Sequence, residues 1–347
     1  MIMKEIIASF LAALFLFCMA PPAQAAKAVP KDVSHLLGMY SGNSSVFLLR
    51  EDGGKLQIVY HTDSDDRDFG MGNIFPLKKV RFDSYILNEG GPLLSAEAPV
   101  HFERDNEGNG IACKIGGKRF ARIFYPGEVG RVFRVEANAD FRSLKDAAPG
   151  WEMPAKLRQG GQAGRLVRIR SVVPNARFDL RYAGTDNIFG APLYDAAEAF
   201  AEAETAAALK IAADKLAARG YGLLVWEGYR PWYVSRLASE LLPKDKKDML
   251  PAPEKGEDRN TGRTVDVSLY DLANGEAVAM ISDFDEVSVR QFPGYPGGTE
   301  QQRSLRDMLA SVMKDCGFTQ GREEWWHFTL GDTKGWQHLN IPYGQIK

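Results

Sequence analysis

The hydrophobic pattern of this chain changes period part-way along, which divides it into two segments with different folding rules. From about Val33 to Val135 the apolar residues fall in short alternating runs. Examples are Ser45-Val46-Phe47-Leu48-Leu49, Lys55-Leu56-Gln57-Ile58-Val59-Tyr60 and Phe120-Ala121-Arg122-Ile123-Phe124-Tyr125. Asp52-Gly53-Gly54, Glu89-Gly90-Gly91 and Gly116-Gly117 punctuate them. Short strands at this spacing predict an all-β unit over residues 33–145, either an antiparallel sandwich or a barrel. His61 and His101 stand alone among strand residues and are read as structural.

Residues 146–164, with their Pro and Gly, read as a linker, and residues 165–347 follow a different pattern. Asp195 to Arg219 is rich in Ala and Glu, with Gly220 placed as a C-cap, and predicts a long helix. Gly222 to Glu227 reads as a buried strand, and Pro231 to Leu242 as a helix opened by its proline. Thr299 and Gln302 form a capping box for a helix ending before Gly317. Helices mixed with hairpin-like strands, without a phosphate-binding glycine pattern, give an α+β class rather than a doubly wound sheet.

Residues 1–26 read as a secretory signal: Lys4, an uncharged apolar run from Ile6 to Ala20, then Ala23-Gln24-Ala25 as a cleavage site. The run is short for a membrane span, so no stable membrane insertion is expected after its removal. The protein is therefore expected to be exported, and periplasmic if its source is a diderm bacterium. Only Cys113 and Cys316 then remain, too few for a disulfide framework; they read either as two separate buried thiols or as one pair formed in an oxidising compartment. The formal charge is −2 with both signs interspersed, which gives nucleic acid no basic surface to bind.

Three segments carry chemistry. Glu323-Glu324-Trp325-Trp326-His327-Phe328 sets a carboxylate and an imidazole three residues apart in an aromatic, strand-like run. A carboxylate suits a general base and a neutral imidazole suits a metal. On a regular strand the two face opposite ways, so they converge only if Glu324 sits on the turn before the strand. Glu227-Gly228-Tyr229-Arg230-Pro231 puts Arg230 just past the end of a buried strand, facing a cleft or pairing with an acid. In Gly262-Arg263-Thr264-Val265-Asp266-Val267-Ser268-Leu269, Asp266 lies mid-strand, which is costly unless it is ion-paired or metal-bound.

Together these segments resemble the D-alanyl-D-alanine dipeptidase family, the zinc D,D-dipeptidases of vancomycin resistance and cell-wall turnover. The resemblance runs from about Val172 to Leu330. It includes Phe178-Asp179-Leu180-Arg181-Tyr182, Asp186-Asn187-Ile188-Phe189-Gly190, Pro192-Leu193-Tyr194, Gly228-Tyr229-Arg230-Pro231, Phe284-Asp285 and Glu324-Trp325-Trp326-His327-Phe328. It implies a compact domain with a small antiparallel sheet, flanking helices and zinc in its cleft. By motif it also implies Asp266 and His327 as metal ligands, Glu324 as general base and Arg230 as transition-state stabiliser.

The family's first zinc ligand is a His three residues before the glycine of its motif, and here that position is Arg259. Glu257 and Thr264 also stand where the family has Ser and Ala. A guanidinium has no free lone pair and cannot ligate zinc. Three arrangements follow: a carboxylate from Asp258 or Glu257 completes a site for zinc or another divalent metal; Arg259 fills the metal position and pairs with Asp266 and Glu324, leaving no metal; or His338 or a histidine of the first domain enters. The expected function is metal-dependent hydrolysis of D-Ala-D-Ala or a similar small D,D-peptide. The alternative is a non-catalytic binder of cell-wall peptide termini, with Arg230 and Arg259 gripping a carboxylate.

Overall fold

The computed structural model describes residues 30–60, 72–90, 95–136, 140–159 and 161–347. The expected signal sequence, residues 1–26, and His61 lie outside them. The first unit is built from β1 (Gly38–Gly42), β2 (Ser45–Asp52), β3 (Lys55–Tyr60), β4 (Asn73–Arg81), β5 (Ser84–Leu87), β6 (Pro99–Arg104), β7 (Gly110–Ile115) and β8 (Lys118–Ile123). Each strand pairs antiparallel with the next, and β8 returns to β1, so the sheet closes into a barrel. Closure gives every strand a neighbour on both sides, unlike the edge strands of a sandwich. Two-residue turns make this order possible: Gly53 and Gly54 both have positive φ, as do Gly116 and Gly117, a backbone that glycine adopts without strain. Tyr40, Phe47, Leu49, Ile58, Val100 and Phe120 fill the interior.

Beyond the barrel come β9 (Leu166–Arg168), β10 (Arg177–Phe178), β11 (Phe200–Glu202), β12 (Tyr221–Glu227), β13 (Thr264–Asp271), β14 (Phe318–Gln320) and β15 (His327–Leu330). Five of them form one sheet in the order β10-β12-β13-β15-β14, while β9 pairs with β11. The sheet is not wholly antiparallel, because β10 runs parallel to β12. Helices Ala203–Ala217, Trp232–Leu241 and Glu300–Lys314 surround it. No helix among the described residues is long and apolar enough to cross a membrane.

Two helices match the sequence closely. Trp232–Leu241 starts one residue after Pro231, and Glu300–Lys314 opens with the Thr299–Gln302 capping box. The third begins at Ala203 rather than near Asp195. Glu202 caps it, its carboxylate accepting from Glu204 N at 2.8 Å and Thr205 N at 3.3 Å, while Phe200–Glu202 is drawn off into β11.

Part of the stretch expected as a linker is packed. Ala148, Met153 and Leu157 are buried in the same core as the five-stranded sheet, joined by Val135. Its prolines start short helical turns at Ala148–Gly150 and Ala155–Arg158, which lets its apolar residues dock. The barrel also grips the helix Glu300–Lys314. Buried Glu51 accepts from Glu300 N at 3.0 Å, and Arg303 pairs with Asp52 at 2.7 Å. Cys113 is buried and Cys316 partly so, and both are free thiols.

Candidate functional site

Strand register assembles the site. Asp266 of β13 lies directly opposite His327 of β15 on one side and Glu227 of β12 on the other. Direct cross-strand partners share a face, so the three side chains form a row. An irregularity between Val225 and Glu227 resets the register and brings Glu227 into that row, as bulges beside sites often do. β13 is buried on both faces: Val265, Val267 and Leu269 join the apolar core, and Asp266 is fully buried on the opposite face.

Glu324 meets the condition set by its spacing. β15 begins only at His327, so the aromatic run is not strand throughout, and Glu324 lies on the turn before it. The turn is held from beneath: Trp325 N donates to Gln291 O at 2.9 Å, and Trp325 Nε1 donates to Ser282 Oγ at 2.8 Å. Trp325 and Trp326 are fully buried and pack edge-on to each other and to Trp226. One oxygen or nitrogen from each of Asp266, Glu324 and His327 falls within 4.8 Å of the others.

Arg259 enters that triangle. It sits on the short 3-10 helix Asp258–Thr261, capped by Glu257 and Asn260 and ended by Gly262 at a φ of 76°. Its Nε donates to Asp266 Oδ2 at 2.8 Å and its Nη2 to Glu324 Oε2 at 3.1 Å. His327 Nδ1 faces the other oxygen of Asp266 at 2.9 Å. Burial alone pushes the Asp266 carboxyl up, but the Arg259 charge and the His327 bond outweigh it and hold it at about 2.

Zinc does not fit these residues with Arg259 where it stands. Zinc sites draw on three or four protein donors. Here Asp266 and Glu324 both spend an oxygen on a guanidinium that remains protonated. Asp258 does not complete the set: it is exposed and accepts from Thr333 Oγ1 at 2.7 Å. His338 is also outside the triangle, half-buried beside Gly256. Arg259 instead lies between Asp266 and Glu324 and bonds both.

Arg230 is not a free donor facing the cleft. It is buried, with Nε and Nη2 bidentate on Glu227 at 2.7 and 2.5 Å, and Nη1 reaches Glu257 at 3.3 Å. Three of its five N–H donors are taken by Glu227 and Glu257, so a substrate carboxylate or an oxyanion would compete with two carboxylates already paired to it. Glu227, which sequence reasoning left without a role, thus orients Arg230; its i, i+3 spacing was the available signal. Glu257 was considered only as a metal substitute. It bridges the two guanidinia, reaching Arg259 Nη1 at 3.8 Å, and also accepts from Ser235 Oγ. Burial raises the Glu257 carboxyl, yet Arg230 and Arg259 together hold it below its ordinary value.

Asp285 borders the same cluster, with a left-handed backbone (φ 51°) and the Tyr182 hydroxyl donating to it. Burial, then the Glu324 charge, raises its carboxyl to about 7. Across Glu227, Glu257, Asp266 and Glu324, four carboxylates face two guanidinia, a net charge of −2 with His327 neutral. Glu324 is the most open of these groups at 30% exposure, against 16% for His327 and 11% for Arg259.

A family model described as D-ala-D-ala dipeptidase matches residues 162–345. A D-alanyl-D-alanine dipeptidase of Enterococcus faecalis is 34% identical over 184 residues, covering 47% of this chain and 90% of that protein. One from Enterococcus faecium is 31% identical over 182 residues, covering 47% of this chain and 90% of that protein. One from Streptomyces coelicolor is 30% identical over 187 residues, covering 48% of this chain and 92% of that protein. These similarities fall on the half that carries the cluster, while the barrel lies outside the matched segment.

Proposed function

Because this chain belongs to the D-Ala-D-Ala dipeptidase family but carries Arg259 at a metal position, we propose that its cleft binds small D,D-dipeptides without hydrolysing them through a metal. The observation that carries this reading is the pair of charge-assisted bonds from Arg259 to Asp266 and Glu324. The relatives' names supply the ligand class, free D-Ala-D-Ala or a close dipeptide analogue. Electrostatics supplies the orientation. The cluster is net negative and its most open member is Glu324, so the ligand's ammonium is the complementary end. This reverses the expectation of a carboxylate gripped by Arg230 and Arg259, because both guanidinia are already paired. The reading places the protein outside the cytoplasm, following its expected signal sequence.

Hydrolysis is the second reading, favoured by the convergence of Asp266, Glu324 and His327. Isothermal titration with D-Ala-D-Ala and L-Ala-L-Ala in chelator, followed by a D-Ala release assay with added zinc, separates the two. The expected result is D,D-selective binding in chelator and no release with metal. Zinc bound at one equivalent with D-Ala released would establish hydrolysis. Failure to bind D-Ala-D-Ala at millimolar concentration would remove the ligand assignment.

A further inference from the structure

The barrel wall has an incomplete join. β3 and β4 pair only over Gln57–Tyr60 and Asn73–Pro76. Pro76 has no N–H to continue a ladder. Past it, Lys55 and Leu56 pair only with Asp52 and Glu51 of β2, while Leu77, Lys78 and Lys79 pair with Leu87, Ile86 and Tyr85 of β5. Among the described residues no ladder pair joins these two edges to each other. A cavity of about 820 Å³ lies along this seam. That volume is within the roughly 300–1,000 Å³ of ligand sites.

The lining has two chemistries. Leu56, Leu77 and Tyr85 are buried and form an apolar floor. Lys55, Lys78 and Lys79 are exposed at the rim, and neither Lys55 nor Lys78 has an ion pair with a described residue. The two carboxylates at the border are already engaged. Glu51 accepts from Gly54 N at 2.6 Å and from Glu300 N at 3.0 Å, and Glu300 accepts from Gly53 N at 3.0 Å. Three lysines and two carboxylates line the cavity, a formal charge of +1, and the carboxylates have their bonding capacity partly used.

We propose that this seam binds an extended acidic peptide, which adds as a strand between β3 and β4. Alternation along an added strand would set its apolar side chains over Leu56 and Leu77 and its carboxylates beside Lys55 and Lys78. The two unjoined edges favour a peptide over a fatty acid, because only a peptide brings main-chain groups that pair with both. The site is separate from the Asp266 cluster, and the proposal stands whether or not that cluster binds a D,D-dipeptide.

Fluorescence polarisation with the full chain and a labelled Glu-Val-Glu-Val-Glu peptide tests this. The acidic peptide is expected to bind at least tenfold more tightly than Lys-Val-Lys-Val-Lys, and to lose that advantage in Lys55→Glu/Lys78→Glu. Both lysines are exposed, so circular dichroism of the variant should be unchanged. A peptide N-methylated at alternate residues should fail to bind, because it cannot pair as a strand. Equal affinity for the two peptides, or a double variant that binds normally, would overturn the proposal. Retained binding of the N-methylated peptide would overturn strand addition, and displacement of the labelled peptide by palmitate more readily than by unlabelled peptide would overturn the peptide assignment.

Discussion

Arg259→His should convert the cluster from a self-contained ion pair into a metal site, at a cost in stability without metal. Arg259 makes charge-assisted bonds of 2.8 Å to fully buried Asp266 and 3.1 Å to Glu324. Removing one partner of a buried ion pair costs about 3–5 kcal/mol. A histidine can still donate one hydrogen bond, so the loss belongs at the lower end, about 3 kcal/mol. For a unit of this size that lowers the midpoint of thermal unfolding by roughly 6–12 °C. Zinc then has a His-Asp-His set, and at a hundredfold excess over its dissociation constant it restores about 2.7 kcal/mol. Scanning calorimetry in chelator and in excess zinc reads both effects on the C-terminal transition. Refutation has two forms. A fall of less than about 2 °C in chelator would mean that Arg259 is not what balances Asp266. A folded variant indifferent to zinc would mean that residue 259 does not point at Asp266 and His327.

Two further outcomes follow from burial. The Asp266 carboxyl titrates at about 2 in the folded protein, against 3.8 for the free group, so its stabilising effect is complete above 3.8 and is lost as pH falls through about 2. The stability gap between the protein and Asp266→Asn, measured by urea titration, should therefore be roughly 2 kcal/mol or more near neutrality and close towards pH 2; a gap independent of pH would contradict the pairing. A fragment of residues 133–347 should unfold cooperatively, whereas residues 155–347 lack the buried Val135, Ala148 and Met153. The shorter fragment should be less stable by about 3–6 kcal/mol, and equal urea midpoints would show that those residues do not belong to the core.

Much of this was legible where local chemistry decides structure. The Thr299–Gln302 box, the proline start at Trp232 and the alternation of β13 all depend on neighbours a few residues away. The placement of Glu324 was legible only as a condition, since spacing states what must be true for convergence and cannot show that it is. What sequence did not reveal depends on distant partners. Closure of the barrel requires β1 to meet β8, and the parallel β10 requires a segment to cross back beside β12. Ala148, Met153 and Leu157 dock where a linker is expected because Pro and Gly signal turns equally well in a free linker and against a core. Arg230 looked available because nothing local marks Glu227 as its partner except a spacing of three.

The two substitutions nearest the cluster are coupled through charge. By the resemblance drawn from the sequence, Glu257 stands where the family usually has a neutral Ser, and Arg259 where it has a neutral His. One change adds an anion and the other a cation, so the carboxylate excess of −2 is the same with both as with neither. In the metal-binding pattern a divalent ion would neutralise that excess. Here Arg259 adds a positive charge but Glu257 cancels it, so the excess remains for a bound ligand to meet. Arg259→His alone should thus leave Glu257 unbalanced beside Arg230, and adding Glu257→Ser should relieve it. The double variant is therefore expected to regain part of the stability that the single variant loses in chelator. If the second change instead destabilises further, Glu257 is held by Ser235 and its helix cap rather than by Arg259, and the two substitutions are independent.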